Sequence, residues 1–265
     1  MKKEISPRGI NRREFMAAST AFSLFTIVPR HVLAASGQAA PSDRLNMACI
    51  GVGGMMGSGD VLGVSSENIG ALCDVDDNEM AKTAAMLPEA RVYKDFREML
   101  DKEYKHLDAV TVTIPDHMHA TAALWAMERG LSVHCQKPLT QSVWEARLLT
   151  KAARKYNVVT QMGNQGYSCE ATRVACEMIW NGDIGDVIEV HSYSGGGFAR
   201  DITEWPPVEE VPKTLDWNLW LGRTEEKPYS SKIHPINWRG FQDYGSQMIG
   251  DWGIHQLGPA NWALQ

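Results

Sequence analysis

Residues 45–57 read Leu45-Asn46-Met47-Ala48-Cys49-Ile50-Gly51-Val52-Gly53-Gly54-Met55-Met56-Gly57, an apolar run that breaks into glycine. Residues 45–50 have the composition and length of a buried strand. Glycine is the residue that lets the backbone turn tightly and approach a ligand closely. A short helix over roughly residues 58–64 follows, then a second apolar strand over 67–73 that ends on Asp74. Strand, glycine turn, helix, strand, acid is the order of a dinucleotide-binding unit, and here the acid lies 23 positions after Gly51 (74 − 51). In such a unit Gly51, Gly53, Gly54 and Gly57 bring the backbone to a diphosphate whose charge meets the helix N-terminus. Asp74 is placed to accept the ribose hydroxyls and to repel a 2′-phosphate, which favours NAD over NADP. The third glycine of the pattern is due at Met56 and comes one residue later, at Gly57, so the loop carries an extra residue.

The alternation continues along the chain. Helices are expected over residues 78–87, 96–105, 116–128 and 142–156, and strands over 91–93, 109–114, 132–135 and 158–161. This order implies a parallel sheet with helices on both faces. The strand ends bearing Gly51, Asp74, Pro115, Lys137 and the stretch 162–165, with Asn164 and Gln165, then share one edge. Val133-His134-Cys135-Gln136-Lys137-Pro138-Leu139-Thr140 is a short buried strand that stops on a lysine before proline. Proline lacks a backbone donor and keeps its predecessor out of the helical region. Lys137 is therefore expected at a strand's carboxyl end, where open α/β sheets place their ligands.

After Gly166 the pattern changes, and the chain divides into residues 44–166 and 167–265. A helix is expected over 169–181, a turn over 182–185, and a strand over 186–194 with Ile188 and Val190 on one face. Six of the nine tryptophans (Trp205, Trp217, Trp220, Trp238, Trp252, Trp262) fall after residue 200, which points to aromatic core packing. Stacking of some of them on a sugar ring is the functional alternative. The last helical pattern, 245–264, places Asp251 and His255 four apart on one face. That is either a local surface pair or a proton carrier oriented by a carboxylate.

A length of 265 residues allows one large domain or two modest ones. The net charge of −6, with no basic run beyond the first residues, argues against a nucleic-acid partner. Five cysteines without a CxxC pair support neither a disulfide framework nor a zinc site. Asp116, His117 and His119 lack further ligands at suitable spacing, so no metal is expected. At the N-terminus, Asn11-Arg12-Arg13-Glu14-Phe15-Met16 precedes an apolar stretch over 17–28 and the small-residue site Val32-Leu33-Ala34. The stretch is too short to span a bilayer and resembles a Tat export signal over 1–34, followed by a linker over 35–43. A periplasmic or otherwise exported protein, with the Tat translocon as a transient partner and no stable membrane span, is expected.

Together these motifs resemble the Gfo/Idh/MocA oxidoreductases over residues 45–265. Gly51-x-Gly53 matches their dinucleotide loop and Pro115-Asp116-x-x-His119 their Pro-Asn-x-x-His. Gln136-Lys137-Pro138 matches Glu-Lys-Pro, and Asp251-x-x-x-His255 matches Asp-x-x-x-His. The resemblance implies a Rossmann domain followed by an α+β domain, and Lys137, Asp251 and His255 as the catalytic set. It implies NAD contacts from Gly51, Gly53, Gly54, Gly57, Asp74, Pro115, Asp116, His119, Gln136, Lys137, Asn164 and Gln165. Substrate contacts fall to Lys137, Trp238, Arg239, Asp251 and His255. A hydroxyl of a sugar, amino sugar or cyclitol would lose its proton as its carbon passes hydride to the nicotinamide. Lysine titrates near 10.4 and would have to fall to roughly 7–8 to serve as base, so proton transfer is assigned to His255 and orientation of the hydroxyl to Lys137. Gln136 puts a neutral group where the family carries an acid.

Family members continue beyond the Asp-x-x-x-His helix into an open, mostly antiparallel sheet that commonly forms the oligomer interface. The second domain is thus expected to be incomplete, as in a fragment or a truncated gene product, and the full-length form to be a homo-oligomer. Two other readings follow. One is a glycosidase or lyase that oxidises a hydroxyl transiently, as the NAD-dependent α-N-acetylgalactosaminidases do. The other is an inactive dinucleotide-binding remnant of low stability.

Overall fold

Six parallel strands in the order β3-β2-β1-β4-β5-β6 make the sheet on which the molecule is built. A computed structural model describes residues 41–193 and 204–264, so the export-signal reading lies outside the described residues. The strands are β1 (Asn46–Ile50), β2 (Asn68–Cys73), β3 (Arg91–Tyr93), β4 (Ala109–Val112), β5 (Ser132–Gln136) and β6 (Thr160–Gly163). The helices between them are α1 (Gly54–Gly63), α2 (Asp77–Ala84), α3 (Phe96–Glu103), α4 (Asp116–Met127) and α5 (Val143–Tyr156). Every neighbouring pair of strands is parallel, so all the carboxyl ends lie on one edge. The expected α/β architecture is present.

The reasons for each element are local. β1, β4 and β5 bury Ala48, Ile50, Val110, Val112, Val133 and Cys135 in one core with Met99, Leu100, Ala123 and Leu149 from the helices. Strands buried on both faces lose the alternation of a half-exposed strand, which is why they read as unbroken apolar runs. Ser142 begins α5 with a reciprocal cap: its hydroxyl accepts from the Glu145 N–H at 3.3 Å, and Glu145 accepts from the Ser142 N–H at 3.0 Å. Asn157 ends that helix in the left-handed conformation. Asp76 and Asp95 cap α2 and α3 with a single bond each, accepting from the N–H two residues on. Cys49, Cys73, Cys135 and Cys176 are buried free thiols, and Cys169 is exposed and free.

Beyond the sheet come α6 (Glu170–Trp180), α7 (Trp217–Leu221), α8 (Gln247–Asp251) and α9 (Gly253–Ala263). Two expectations need correction here. Residues 186–193, the described part of the expected strand, form no strand, and Ile188 is 96 % exposed. Among the described residues no neighbouring strand offers a ladder, and a strand without one leaves its backbone groups to solvent. The expected helix over 245–264 is two helices, broken at Trp252, so Asp251 ends α8 while His255 opens α9. Residues 205–244 fold without any strand. Trp217, Trp220, Tyr229, Ile233, Trp238, Phe241 and Tyr244 pack together, with Trp205 and with Val75 of the loop after β2. Trp217 and Trp220 stack at 4.5 Å, and Tyr244 meets Trp220 edge-on at 4.8 Å.

Candidate active site

The glycine turn lies between β1 and α1. Gly51 and Gly54 have positive φ, +78° and +63°, which other residues adopt only with strain. A Cβ at Gly51 would overlap the Thr113 carbonyl, and one at Gly57 the backbone of the turn itself. α1 begins at Gly54, so Met55, Met56 and Gly57 lie in its first turn.

Asp74 follows β2, but its carboxylate faces the turn. Oδ2 accepts from the Val52 and Gly53 N–H groups at 3.0 and 2.9 Å, and Oδ1 from the Asp76 N–H at 3.0 Å. Oδ2 is saturated, and Oδ1 keeps one lone pair for a ribose hydroxyl. Burial pushes the Asp74 carboxyl up, against those three N–H donors. Asp74 thus builds the loop as well as facing the ligand edge. Glu79, which sequence reasoning missed, accepts from the Gly54 N–H at 2.7 Å. A carboxylate on the opening N–H of α1 shows that this helix end receives negative charge.

The first turn of α4 carries Asp116, His117 and His119, all buried. Asp116 Oδ2 accepts from the Ser246 N–H at 3.0 Å and its hydroxyl at 2.6 Å. This buried carboxylate fastens the segment before α8 to the strand edge, and burial pushes it up. Both donors on Asp116 Oδ2 belong to Ser246, and Oδ1 has no hydrogen bond among the described residues. His117 donates Nε2–H to the Trp220 carbonyl at 3.0 Å, and its Nδ1 has no partner among the described residues. Burial pushes it down to about 4, so it is a neutral core imidazole. His119 has a carbonyl at each ring nitrogen, Pro138 O at 2.7 Å from Nδ1 and Ile114 O at 2.6 Å from Nε2. A neutral ring can donate only once, so this geometry selects the imidazolium. Burial opposes that charge, but Cys135, Asp116 and the Pro138 carbonyl outweigh it and hold the group up at about 9. His119 therefore pins the segments after β4 and β5 together. Pro115 precedes α4 at its N-cap position.

Lys137 follows β5, and its ammonium donates to the Asp251 carbonyl at 3.0 Å and to the Asp251 carboxylate. Arg239 Nε lies 3.3 Å from the other carboxylate oxygen. The Lys137 and Asp251 side chains are only 13 % and 7 % exposed, so this pair of charges is largely out of water. His255 is not hydrogen-bonded to Asp251. The break at Trp252 separates the two, and Asp251 instead serves the lysine and the arginine. Burial, with Lys137 next, pushes His255 below its ordinary value while Asp251 opposes, so its imidazole is neutral near pH 7. Trp238 is a core residue whose Nε1 donates to the Pro235 carbonyl at 3.1 Å, and the Arg239 guanidinium sits 4.3 Å from its ring centre. The ring helps to place Arg239.

Gln136 is buried and donates to both carboxylate oxygens of Asp60 on α1, at 3.0 and 2.9 Å. Asp60 was also missed, although it lies three residues after buried Gly57 and one before buried Val61, on the sheet-facing side of α1. Asn164, after β6, is buried with neither amide atom partnered among the described residues. Gln165 opens the exposed turn Gln165–Ser168. A turn that admits no Cβ, a helix end already holding a carboxylate and an orphaned buried amide at the same edge fit a dinucleotide. Among the described residues, no group of three His, Cys, Asp or Glu is placed to hold a metal. None of the described helices is long and apolar enough to cross a membrane.

A parallel sheet with a glycine turn and a charged cluster at its carboxyl edge defines a Rossmann-type nucleotide-dependent enzyme class. The family model for Gfo/Idh/MocA oxidoreductases, NAD-binding Rossmann fold, matches residues 45–164, and the model for the C-terminal alpha/beta domain matches 197–265. The chain belongs to this oxidoreductase family. It is 27 % identical over 161 residues to the 2,7-anhydro-N-acetylneuraminate hydratase of Mediterraneibacter gnavus, covering 61 % of this chain and 38 % of that protein. A myo-inositol 2-dehydrogenase from Lactobacillus plantarum aligns with a TM-score of 0.51 and 27 % identity, over 55 % of this chain and 43 % of its own. An NAD-binding protein from Listeria innocua aligns with a TM-score of 0.57 over 82 % of this chain and 54 % of its own; at 22 % identity this is likeness of fold alone. The chain spans less than two thirds of the length of these proteins.

Proposed function

We propose that this chain is the cofactor-binding and catalytic part of an NAD-dependent oxidoreductase acting on a hydroxyl of a sugar, amino sugar or cyclitol. The observation that carries the reading is the meeting of Lys137 with Asp251, beside a neutral His255, at the sheet edge that holds the glycine turn. NAD bound in that turn supplies the hydride acceptor. His255, pushed down by burial and by Lys137, takes the hydroxyl proton. The Lys137 ammonium, held by Asp251, orients the hydroxyl oxygen and stabilises charge that develops on it. Arg239 holds the other Asp251 oxygen and keeps that carboxylate aimed at the lysine. NADP is disfavoured by the carboxylates of Asp74, Asp76 and Glu79 around the turn. Mass spectrometry of the small molecule released on denaturing the purified protein tests the cofactor. A panel of cyclitols and sugars, followed by the absorbance of reduced nicotinamide, tests the reaction; silence across the panel with NAD bound counts against it.

A second reading keeps the cofactor and returns the hydride, giving hydration, elimination or glycoside cleavage without net oxidation. Similarity to a hydratase of an anhydro sugar acid favours it. Product formed without reduced nicotinamide distinguishes it from the first. We also propose Tat export to the periplasm, on the twin arginine and apolar stretch of residues 11–34. Homo-oligomeric assembly belongs to the same proposal, as does the division near residue 166, which falls in the turn Gln165–Ser168. Fractionation of the native host and light scattering of the native protein check location and assembly.

A further inference from the structure

We propose that Asp60, on the helix after the glycine turn, is the positioning carboxylate for Lys137, and that Gln136 is the group through which it acts. The Gln136 side chain is 4 % exposed, and its amide is oriented by chemistry: a carboxylate only accepts, so Nε2 must face Asp60. That leaves Oε1 to accept from the Lys137 backbone N–H, at 3.3 Å. Thr113, just after β4, donates its hydroxyl to Asp60 Oδ2 at 2.6 Å. Gly163, at the end of β6, has no room for a Cβ because the same amide fills the space. One carboxylate on α1 thereby ties the residue after β4 to the end of β5, and through the Gln136 amide, packed on Gly163 of β6, it reaches the backbone of Lys137.

Two consequences follow. A carboxylate at 136 would meet Asp60 at hydrogen-bond distance, and like charges that close cannot both ionise. The neutral Gln136 is therefore matched to Asp60. The helix that opens at the glycine turn is also joined to Lys137 through Gln136, so dinucleotide binding at the turn and lysine placement are coupled. This second consequence rests on the NAD-dependent reading above; the pairing itself does not.

The test is an exchange. Asp60→Asn and Gln136→Glu are made singly and together, and each protein is melted without cofactor and titrated with NAD. Each single change leaves a donor without an acceptor or two facing carboxylates. Each is expected to lower the melting temperature and weaken NAD about tenfold, equivalent to roughly 1.4 kcal/mol. The double exchange restores one of the two amide-to-carboxylate hydrogen bonds with the roles reversed and keeps acceptors for the Thr113 hydroxyl and the Lys137 N–H. It is expected to recover most of the melting temperature and NAD affinity that either single change loses, to within about threefold of native affinity. Additive damage in the double protein, or a single variant that melts like the native one, overturns the proposal. If a single variant does not fold, a folded double protein supports the proposal and an unfolded one overturns it. Should the native protein bind no NAD, the functional reading fails while the melting cycle still decides the pairing.

Discussion

Residues 46–163 and residues 204–246 are held together by different physics, and the charged cluster around Lys137 lies beside their junction. In the first region, strand ladders and capped helices pair the backbone, and small aliphatic side chains fill the core. In the second there is no strand, and large aromatic rings with single hydrogen bonds hold the loops. The first can form from local pattern, whereas the second depends on a surface to fold against. The contacts show that surface: Asp216 N–H to the Val75 carbonyl at 2.9 Å, the Asp77 N–H to the Thr214 carbonyl at 3.0 Å, and His117 N–H to the Tyr244 carbonyl at 3.1 Å. The comparison teaches that one region supplies the rigid edge and the other is draped across it, carrying Arg239 and leading through Ser246 into α8 and α9, which bring Asp251 and His255 to that edge.

Cutting the junction should have the largest effect. Lys137→Ala is expected to reduce turnover by about 10²–10⁴-fold, the range of a positioned proton-transfer or charge-stabilising group, while NAD binding falls far less. Turnover and NAD titration on the same preparation check it. Next comes the aromatic region. Trp220→Ala should cost about 3–5 kcal/mol, the usual range for a buried tryptophan. Hydrogen exchange should then accelerate over 204–246 while 46–163 stays protected.

A titration sharpens the comparison further. His117 lies in the first turn of α4 but inside the aromatic cluster, and its pKa falls from 6.5 to about 4. Between those values the unfolded chain binds more protons than the native one, so stability is full above 6.5 and declines as pH falls. The loss is roughly 3 kcal/mol at most for this group. Chemical denaturation at stepped pH measures it, and His117→Phe should flatten that limb. The smallest effect belongs to the sheet region alone: Ser142→Ala removes the α5 cap and should cost about 1 kcal/mol, with exchange over 204–246 unchanged.

What could be read from the chain follows the same line. β1, the glycine turn, β2 and Asp74 were legible because order and spacing are local, and β3, β4 and β5 because each is bounded by turn or capping residues. β6 lies two residues later than periodicity suggested, since Val158 and Val159 are apolar but precede the ladder. The strand expected over 186–194 was a false positive of the same kind: alternation is present, but among the described residues 186–193 have no strand to pair with. The motifs drew attention to Lys137, Asp251 and His255 as the expected catalytic set. Both readings of the Asp251–His255 spacing took one helix, and the break at Trp252 instead leaves Asp251 paired with Lys137 and Arg239. Asp60 and Glu79 were missed because each acts on a partner distant in sequence, Gln136 and Gly54, that nothing local announces.

The location of bound NAD tests the central claim most directly, through a crystal structure of the protein with NAD. The account predicts the diphosphate against Gly53 and Gly54 and the nicotinamide ring facing both Lys137 and His255. A diphosphate seated outside the glycine turn, or a ring turned away from Lys137, would contradict it.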